Sequence, residues 1–380
     1  MVLSKRWRFL WTMLPKLYFE YGLEHGSEMK PSEYEKFAKY VDRSMVLNRA
    51  PVLEVLKFGV GACCSSEDLV TWIRIGMARH VRELEISDWT YDRDDSLCKI
   101  VLPKALYTYE KLEVLKLTYV TVIDVPTHVF LPSLKTLHLV HVTYGTETEV
   151  DESYHRLLSG CPVLEELVLD SSDNRQYCLP SLSVEMSALQ RLSIVQRYHQ
   201  GPAEEVYSTF VFNAPSLKYL SFVDLLGDLC LSGNMPELVE ANVCVFYDNN
   251  PEKLLESLTS VKRLCLCLSV STLQRHIGFY HLLDLELCGV SERWGDLLTL
   301  MLERSPKLQV LKIWCKEHYS AERIEGEEKK IVAYILKNAP QLKTAVISRW
   351  RYGTEEERSQ TLSELVSLPR ASSSCQLMFQ

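Results

Sequence analysis

The sequence predicts an α/β solenoid of parallel strands, a horseshoe built from stacked repeats. Three observations carry that prediction: a six-residue apolar pattern, its recurrence at near-constant spacing, and the composition of an ordinary folded chain. The pattern is L-x-x-L-x-L with other apolar residues allowed. It begins at Leu53, Val81, Leu112, Leu134, Leu164 and Leu189, and again at Leu217, Leu238, Val261, Leu282, Leu308 and Leu342. Successive starts lie 21 to 34 residues apart, mostly within or near the period of a leucine-rich repeat. One match arises easily by chance; a series of twelve does not. Of the 380 residues, 47% are hydrophobic and 24% charged, with 15 Gly and 15 Pro. That composition excludes disorder and collagen-like repetition. Length alone predicts two or three domains.

Each element follows from local chemistry. Residues 1–20 are basic and aromatic and carry no repeat; Lys5, Arg6 and Arg8 flank Trp7 and Trp11, whose spacing of four predicts a short helix burying both indoles on one side. In each repeat the L-x-L pair sends both apolar residues to one face of a short strand, and the intervening residues must return the chain. Several do so as helices. Ser66 caps a segment in which Leu69, Trp72, Ile73, Gly76 and Met77 share one face. Glu152 to Leu158, stopped by Gly160-Cys161-Pro162, reads the same way. No repeat buries its leucines alone, so stacking supplies the core. Towards the C-terminus the charged run Glu325 to Lys330 opens a helix with Val332, Ile335, Leu336 and Ala339 on one face. Thr354 to Glu357 is a capping box for a further helix carrying Leu362, Leu365 and Val366, ended by Pro369. The tail from Ser372 to Phe379 predicts a final strand.

Three of these segments resemble a plant family, the F-box/FBD/LRR-repeat proteins. Val2-Leu3-Ser4-Lys5-Arg6-Trp7-Arg8-Phe9-Leu10-Trp11 resembles the closing helix of their F-box. Gly160-Cys161-Pro162-Val163-Leu164-Glu165-Glu166-Leu167 is similar to a phrase of their repeats. Tyr334 to Ala339 together with Leu368 to Leu377 resembles the end of their FBD region. The resemblance implies three parts: 1–20 a residual F-box helix, 21–315 leucine-rich repeats, and 316–380 an FBD-like C-terminal cap. It implies a substrate receptor of a cullin-RING (SCF-type) ubiquitin ligase. The target protein would sit on the concave face, and Leu3, Trp7, Leu10 and Trp11 would face a Skp-type adaptor and, through it, the cullin. The chain starts directly before the family's third F-box helix and contains no L-P-x-x-[LI]-L-x-x-I-L segment, so the F-box is expected to be truncated. The Trp-Pro segment of the FBD region is also missing, which shortens it around 315–325. A ligase-independent interaction module that has lost adaptor binding is therefore the alternative.

Charge and cysteines narrow the setting. A net charge of −8 gives no electrostatic reason for nucleic acid or an anionic membrane as partner. The longest uncharged stretch, Val206 to Leu217, is too short to span a bilayer. The 12 cysteines are scattered singly apart from Cys63-Cys64 and Cys265-x-Cys267, with no C-x-x-C and no Asn-x-Ser/Thr sequon. Reduced thiols in the cytoplasm or nucleus are the expectation. No G-x-S-x-G, P-loop, G-x-G-x-x-G or H-E-x-x-H motif occurs, so neither a catalytic residue nor a cofactor or metal is assigned. His138 and His141 are expected on opposite faces of a strand, where they do not converge on a metal.

Strand register selects the candidate site. The middle residue of each L-x-L faces outward, the usual side for partners in solenoids. That row reads Lys57, Glu85, Lys116, His138, Val168, Ser193, Ser221, Asn242, Cys265, Glu286, Lys312, Val346. Charge disappears from Val168 to Cys265. The uncharged stretch Val168, Ser193, Ser221, Asn242 and Cys265, with neighbouring Glu166, Arg191, Tyr219 and Arg263, is the candidate recognition patch. Cys244, Cys267 and Cys288 hold the equivalent position one residue beyond the last apolar residue of three successive repeats. They predict a thiol ladder with Cys265 beside it, on a row too flat for tetrahedral zinc.

Overall fold

The computed structural model describes residues 10–21, 31–61, 64–88, 98–123, 125–144, 150–171, 179, 181–196, 209–224, 228–231, 235–245, 251–268, 277–289, 294–315, 327–348 and 368–379. The chain forms two compact units, Met1–Leu189 and Gln190–Gln380.

The first unit runs β1 (Lys16–Glu20), α1 (Pro31–Leu47), β2 (Val55–Val60), α2 (Ser66–Ala78), β3 (Glu83–Asp88), β4 (Cys98–Val101), β5 (Val114–Thr118), β6 (Val120–Ile123), β7 (Thr136–Val140), β8 (Thr143–Tyr144), α3 (Val150–Ser159), β9 (Glu166–Asp170) and β10 (Leu182–Glu185). Its main sheet has the order β1-β2-β3-β5-β7-β9, and every one of these pairs is parallel. Strands β4, β6 and β8 form a second parallel sheet. The second unit runs β11 (Arg191–Gln196), β12 (Thr209–Asn213), β13 (Tyr219–Asp224), β14 (Asp228–Leu231), β15 (Glu240–Val245), α4 (Pro251–Ser257), β16 (Arg263–Leu268), β17 (Asp284–Gly289), α5 (Trp294–Arg304), β18 (Val310–Cys315), α6 (Glu327–Asn338), β19 (Thr344–Ser348) and β20 (Gln376–Phe379). Its parallel sheet has the order β11-β13-β15-β16-β17-β18-β19-β20. The solenoid-type α/β fold expected from the repeats is present in both units.

The pattern works as the period of two demands. Leu53, Leu56 and Phe58 are fully buried, as are Leu84 with Ile86 and Leu220 with Phe222. One hydrogen-bond device recurs ahead of the strands. The carbonyl of the residue immediately after the first apolar residue accepts two successive N–H groups from the next repeat. Glu54 O takes Arg82 and Glu83, Arg82 O takes Glu113 and Val114, and Lys218 O takes Val239 and Glu240. Buried backbone groups must find such partners, so the device locks each strand's register to its predecessor.

The same device exposes a repeat missed in the sequence. Pro15 O accepts from Glu54 and Val55, and β1 pairs in parallel with β2, Leu17 opposite Leu56 and Phe19 opposite Phe58. Leu14-x-x-Leu17-x-Phe19 is thus a repeat, within the segment expected to carry none. Phe19 stacks on Phe58 at 5.7 Å, and Phe58 stacks on Trp72 at 5.4 Å. Trp72 is fully buried on α2 and donates Nε1–H to Asp42 Oδ1 of α1 at 2.7 Å. Aromatic pairing adds to the large area these rings bury.

Other expectations need correction. The cap of α2 is Ser65, whose hydroxyl accepts from Asp68 N, one residue before Ser66; Leu69, Trp72, Ile73 and Gly76 are its buried face as expected. Leu10–Met13 is one 3-10 turn and Trp11 is 44% exposed, so its indole is not buried in a helix face; Trp7 lies outside the described residues. The return arms are not all helical. Thr209–Asn213 alternates β-branched and aromatic residues, which favour a strand, and it pairs with β14 while burying Phe210 and Phe212. At the C-terminal end Val332, Ile335, Leu336 and Ala339 of α6 are buried, and β20 completes the sheet beside β19. The capping box at Thr354 and the helix after it lie outside the described residues.

Candidate partner-binding face

Alternation along the strands places three rows of side chains on the outward face. In the first unit the middle row is Tyr18, Lys57, Glu85, Lys116, His138 and Val168, each in register with the next. This row neutralises itself. Lys57 Nζ lies 2.7 Å from Glu85 and 3.9 Å from Glu20, and the bond to Glu85 holds its ammonium above the usual lysine range. His138 Nε2 lies 3.3 Å from Glu166 Oε1. Burial nevertheless pulls His138 below the ordinary imidazole value; the neighbouring carboxylate acts in the opposite sense and is outweighed.

In the second unit the middle row is Ser193, Ser221, Asn242, Cys265, Glu286, Lys312, Val346 and Met378. On one side runs Arg191, Tyr219, Glu240, Arg263 and Asp284. On the other run Val195, Val223, Cys244 and Cys267, and then Cys288, Trp314 and Ser348. The charges beside the middle row are engaged: the Arg191 guanidinium sits 4.7 Å above the Tyr219 ring, Arg263 donates Nε–H to Glu240 at 2.8 Å, and Lys312 Nζ is 3.8 Å from both Asp284 and Glu286.

Seven of the nine patch residues therefore share one face of the second unit: Arg191, Ser193, Tyr219, Ser221, Asn242, Arg263 and Cys265. Val168 and Glu166 lie on β9 of the first unit. Both arginines are tied to neighbours within the face, which leaves short neutral side chains at its centre; of these Ser221, expected to face outward, is only 8% exposed. Sequence reasoning passed over Trp314, 41% exposed on β18, and Tyr18, 57% exposed on β1. Trp314 occupies the same position after the last apolar residue as the three cysteines, and that equivalence was the signal available for it. Exposed aromatic side chains on such faces are frequent anchors for partners.

Leu10 is 48% exposed next to Trp11, and Met13 and Leu14 are exposed with them. Leu3 and Trp7 lie outside the described residues. His138 and His141 do not converge: His141, with φ 52°, is buried and stacks on Tyr119 at 4.4 Å. Among the described residues no group of three or more His, Cys, Asp or Glu side chains is placed to hold a metal ion, and no helix is long and apolar enough to cross a membrane.

Comparison with known proteins fits this architecture. The family model described as the leucine-rich repeats of FBD-associated F-box protein At5g56370 matches residues 69–235, and the FBD model matches 298–347, which includes α6 and all of β19 but its last residue. An Arabidopsis thaliana FBD-associated F-box protein, At3g50710, is 55% identical over all of this chain and 93% of its own length. The F-box/FBD/LRR-repeat proteins At5g56420 and At4g26340 of the same plant are 38% and 36% identical, again over all of this chain and 92% and 93% of theirs. Repeats and FBD region are matched in the order in which the fold lays them down, and the chain belongs to the plant F-box/FBD/LRR-repeat family.

Proposed function

We propose that the protein is a substrate-recognition subunit of a cullin-RING (SCF-type) ubiquitin ligase, acting in the cytoplasm or nucleus and holding a target protein on the outward face of its second unit. The observation that carries the reading is the registered row Ser193, Ser221, Asn242 and Cys265. Its side chains are short and neutral, and the flanking charges are internally paired. A target segment laid across it meets donors, acceptors and a little apolar surface without having to break a strong ion pair. Arg191, Tyr219 and Arg263 form one polar rim, and Trp314 stands on the other side of the middle row.

The task needs no bond-making by this chain; it consists of holding the target while an associated ligase acts. The family's F-box name supports a Skp-type adaptor as the link to the cullin. Leu10 and Trp11, with Leu3 and Trp7 ahead of them, are the side chains assigned to that contact.

Two measurements on the full chain test the two halves. Purified plant Skp-type adaptor is expected to be retained by the immobilised protein, with retention reduced at least about tenfold by a joint Leu10→Asp and Trp11→Asp change. Absence of retention would overturn the ligase half and leave a ligase-independent interaction module. Target capture is read by cross-linking mass spectrometry against the Ser193→Arg, Ser221→Arg double variant. Loss of the cross-links is expected; an unchanged set would refute this face as the binding site.

A further inference from the structure

The row beyond the patch carries three thiols that the target-holding role does not use. Cys244 and Cys267 are directly in register on β15 and β16. Leu266 pairs with Leu287, which brings Cys288 level with Cys267 on the other side. None of the three is in a disulfide, and the register sets Cys267 between the other two. Cys267 is 5% exposed, while Cys244 and Cys288 are half-buried. Val195 and Val223 precede the thiols in this row and Trp314 follows them, so no charged side chain lies in it.

We infer that this row is a binding site for a soft monovalent cation of the copper(I) class, held linearly between Cys267 and one neighbour, Cys244 or Cys288. Softness selects the ion, because a purely thiolate donor set favours copper(I) over hard divalent cations. Geometry selects the coordination number. Thiols on adjacent strands lie in a straight line at roughly 4.8 Å intervals. Three collinear sulfurs do not close on one tetrahedral ion, in line with the lack of any convergent group of three among the described residues. Two neighbours are a different matter. The zinc–thiolate length of about 2.3 Å is an upper bound for a two-coordinate ion, so the sulfurs of a linear pair stand at most about 4.6 Å apart, within reach of side chains on neighbouring strands.

The same spacing argues against a disulfide. That bond wants Cβ atoms about 3.8 Å apart, whereas side chains opposed on parallel strands start roughly 4.8 Å apart, so the sheet would have to pinch. Inserting a cation requires no such movement. Binding converts two thiols into thiolates and releases two protons, with no change of oxidation state.

The test is an anaerobic titration of the reduced full chain with copper(I) against a chromophoric chelator, each variant compared with the parent to subtract the other cysteines. Cys267→Ser should lose one tightly held equivalent. Cys244→Ser and Cys288→Ser should each keep it, because one linear pair survives, and the Cys244→Ser, Cys288→Ser double variant should lose it. X-ray absorption of the loaded protein should report two sulfur neighbours. Loss in either single flanking variant, or retention in the Cys267→Ser protein, would overturn the inference. So would a Cys244–Cys267 disulfide as the main product when the cation is added. Circular dichroism of the double variant, whose two sites are only half-buried, separates loss of the site from loss of the fold.

Discussion

Replacing Gly160 by alanine tests how the end of α3 hands the chain to β9. A Cβ at residue 160 would stand 2.6 Å from Val129 O, 2.7 Å from Val129 Cγ1 and 2.9 Å from Val129 C. Ordinary contacts begin at 3.4 Å, so the two segments would have to separate by 3.4 − 2.6, or about 0.8 Å. The obstacle is backbone, and it is pinned. Leu131 N donates to Gly160 O at 2.8 Å and Phe130 N donates to Tyr107 O at 2.8 Å. Overpacking of this kind costs about 1–3 kcal/mol. With two anchoring hydrogen bonds strained we take about 3, and the loss of chain freedom in the unfolded state returns up to about 1 kcal/mol. A net loss near 2 kcal/mol follows, roughly a thirtyfold fall in the folded-to-unfolded ratio. Urea unfolding measures it, and hydrogen exchange over 129–160 localises it. Gly295→Ala is the control: nothing lies within 4 Å of its added Cβ, and a helix gains from alanine. A Gly160→Ala protein within about 0.5 kcal/mol of the parent would refute the close-approach argument.

Two further outcomes follow from the first unit. Trp72→Ala removes the ring that stacks on Phe58 and the bond to Asp42; a loss of about 3–5 kcal/mol is expected in urea unfolding, with β1 and β2 exchanging faster. For His138 the folded value lies below the unfolded one, near 6.5, because burial outweighs Glu166. Between those values the unfolded chain binds more protons, so stability falls as pH drops through about 6.5. Melting temperatures at pH 8 and pH 5.5 should show the parent losing more on acidification than the His138→Gln variant; the opposite order would mean that the Glu166 contact governs.

The sequence by itself determined the repeat and the face. A period of two admits one assignment of inside and outside, so Leu84 and Ile86 are buried while Glu85 faces out, and the middle row follows from Lys57 to Lys312; Val346, expected to continue it, is buried. Periodicity of the helical kind likewise settled the buried stripe of α6, and a short apolar tail after Ser372 was enough for β20. The repeat at Leu14 went unseen because the basic, aromatic stretch before it reads as something separate; its register with β2 and the Pro15 carbonyl, accepting from Glu54 and Val55, identify it. Exposure of Trp11 was likewise unreadable, since spacing along a chain says which side chains lie together and not what covers them.

Tertiary structure alone decided which outward residues meet. Register between strands depends on turns and return arms 15 or more residues long, and a shift of one residue exchanges every partner. That register seats Arg191 over Tyr219, joins Arg263 to Glu240 and so leaves the centre of the face neutral. It also brings Cys267 level with Cys244 and Cys288, the ladder that equivalent repeat positions predict, because sheet pairing converts distance along the chain into a fixed strand-to-strand step.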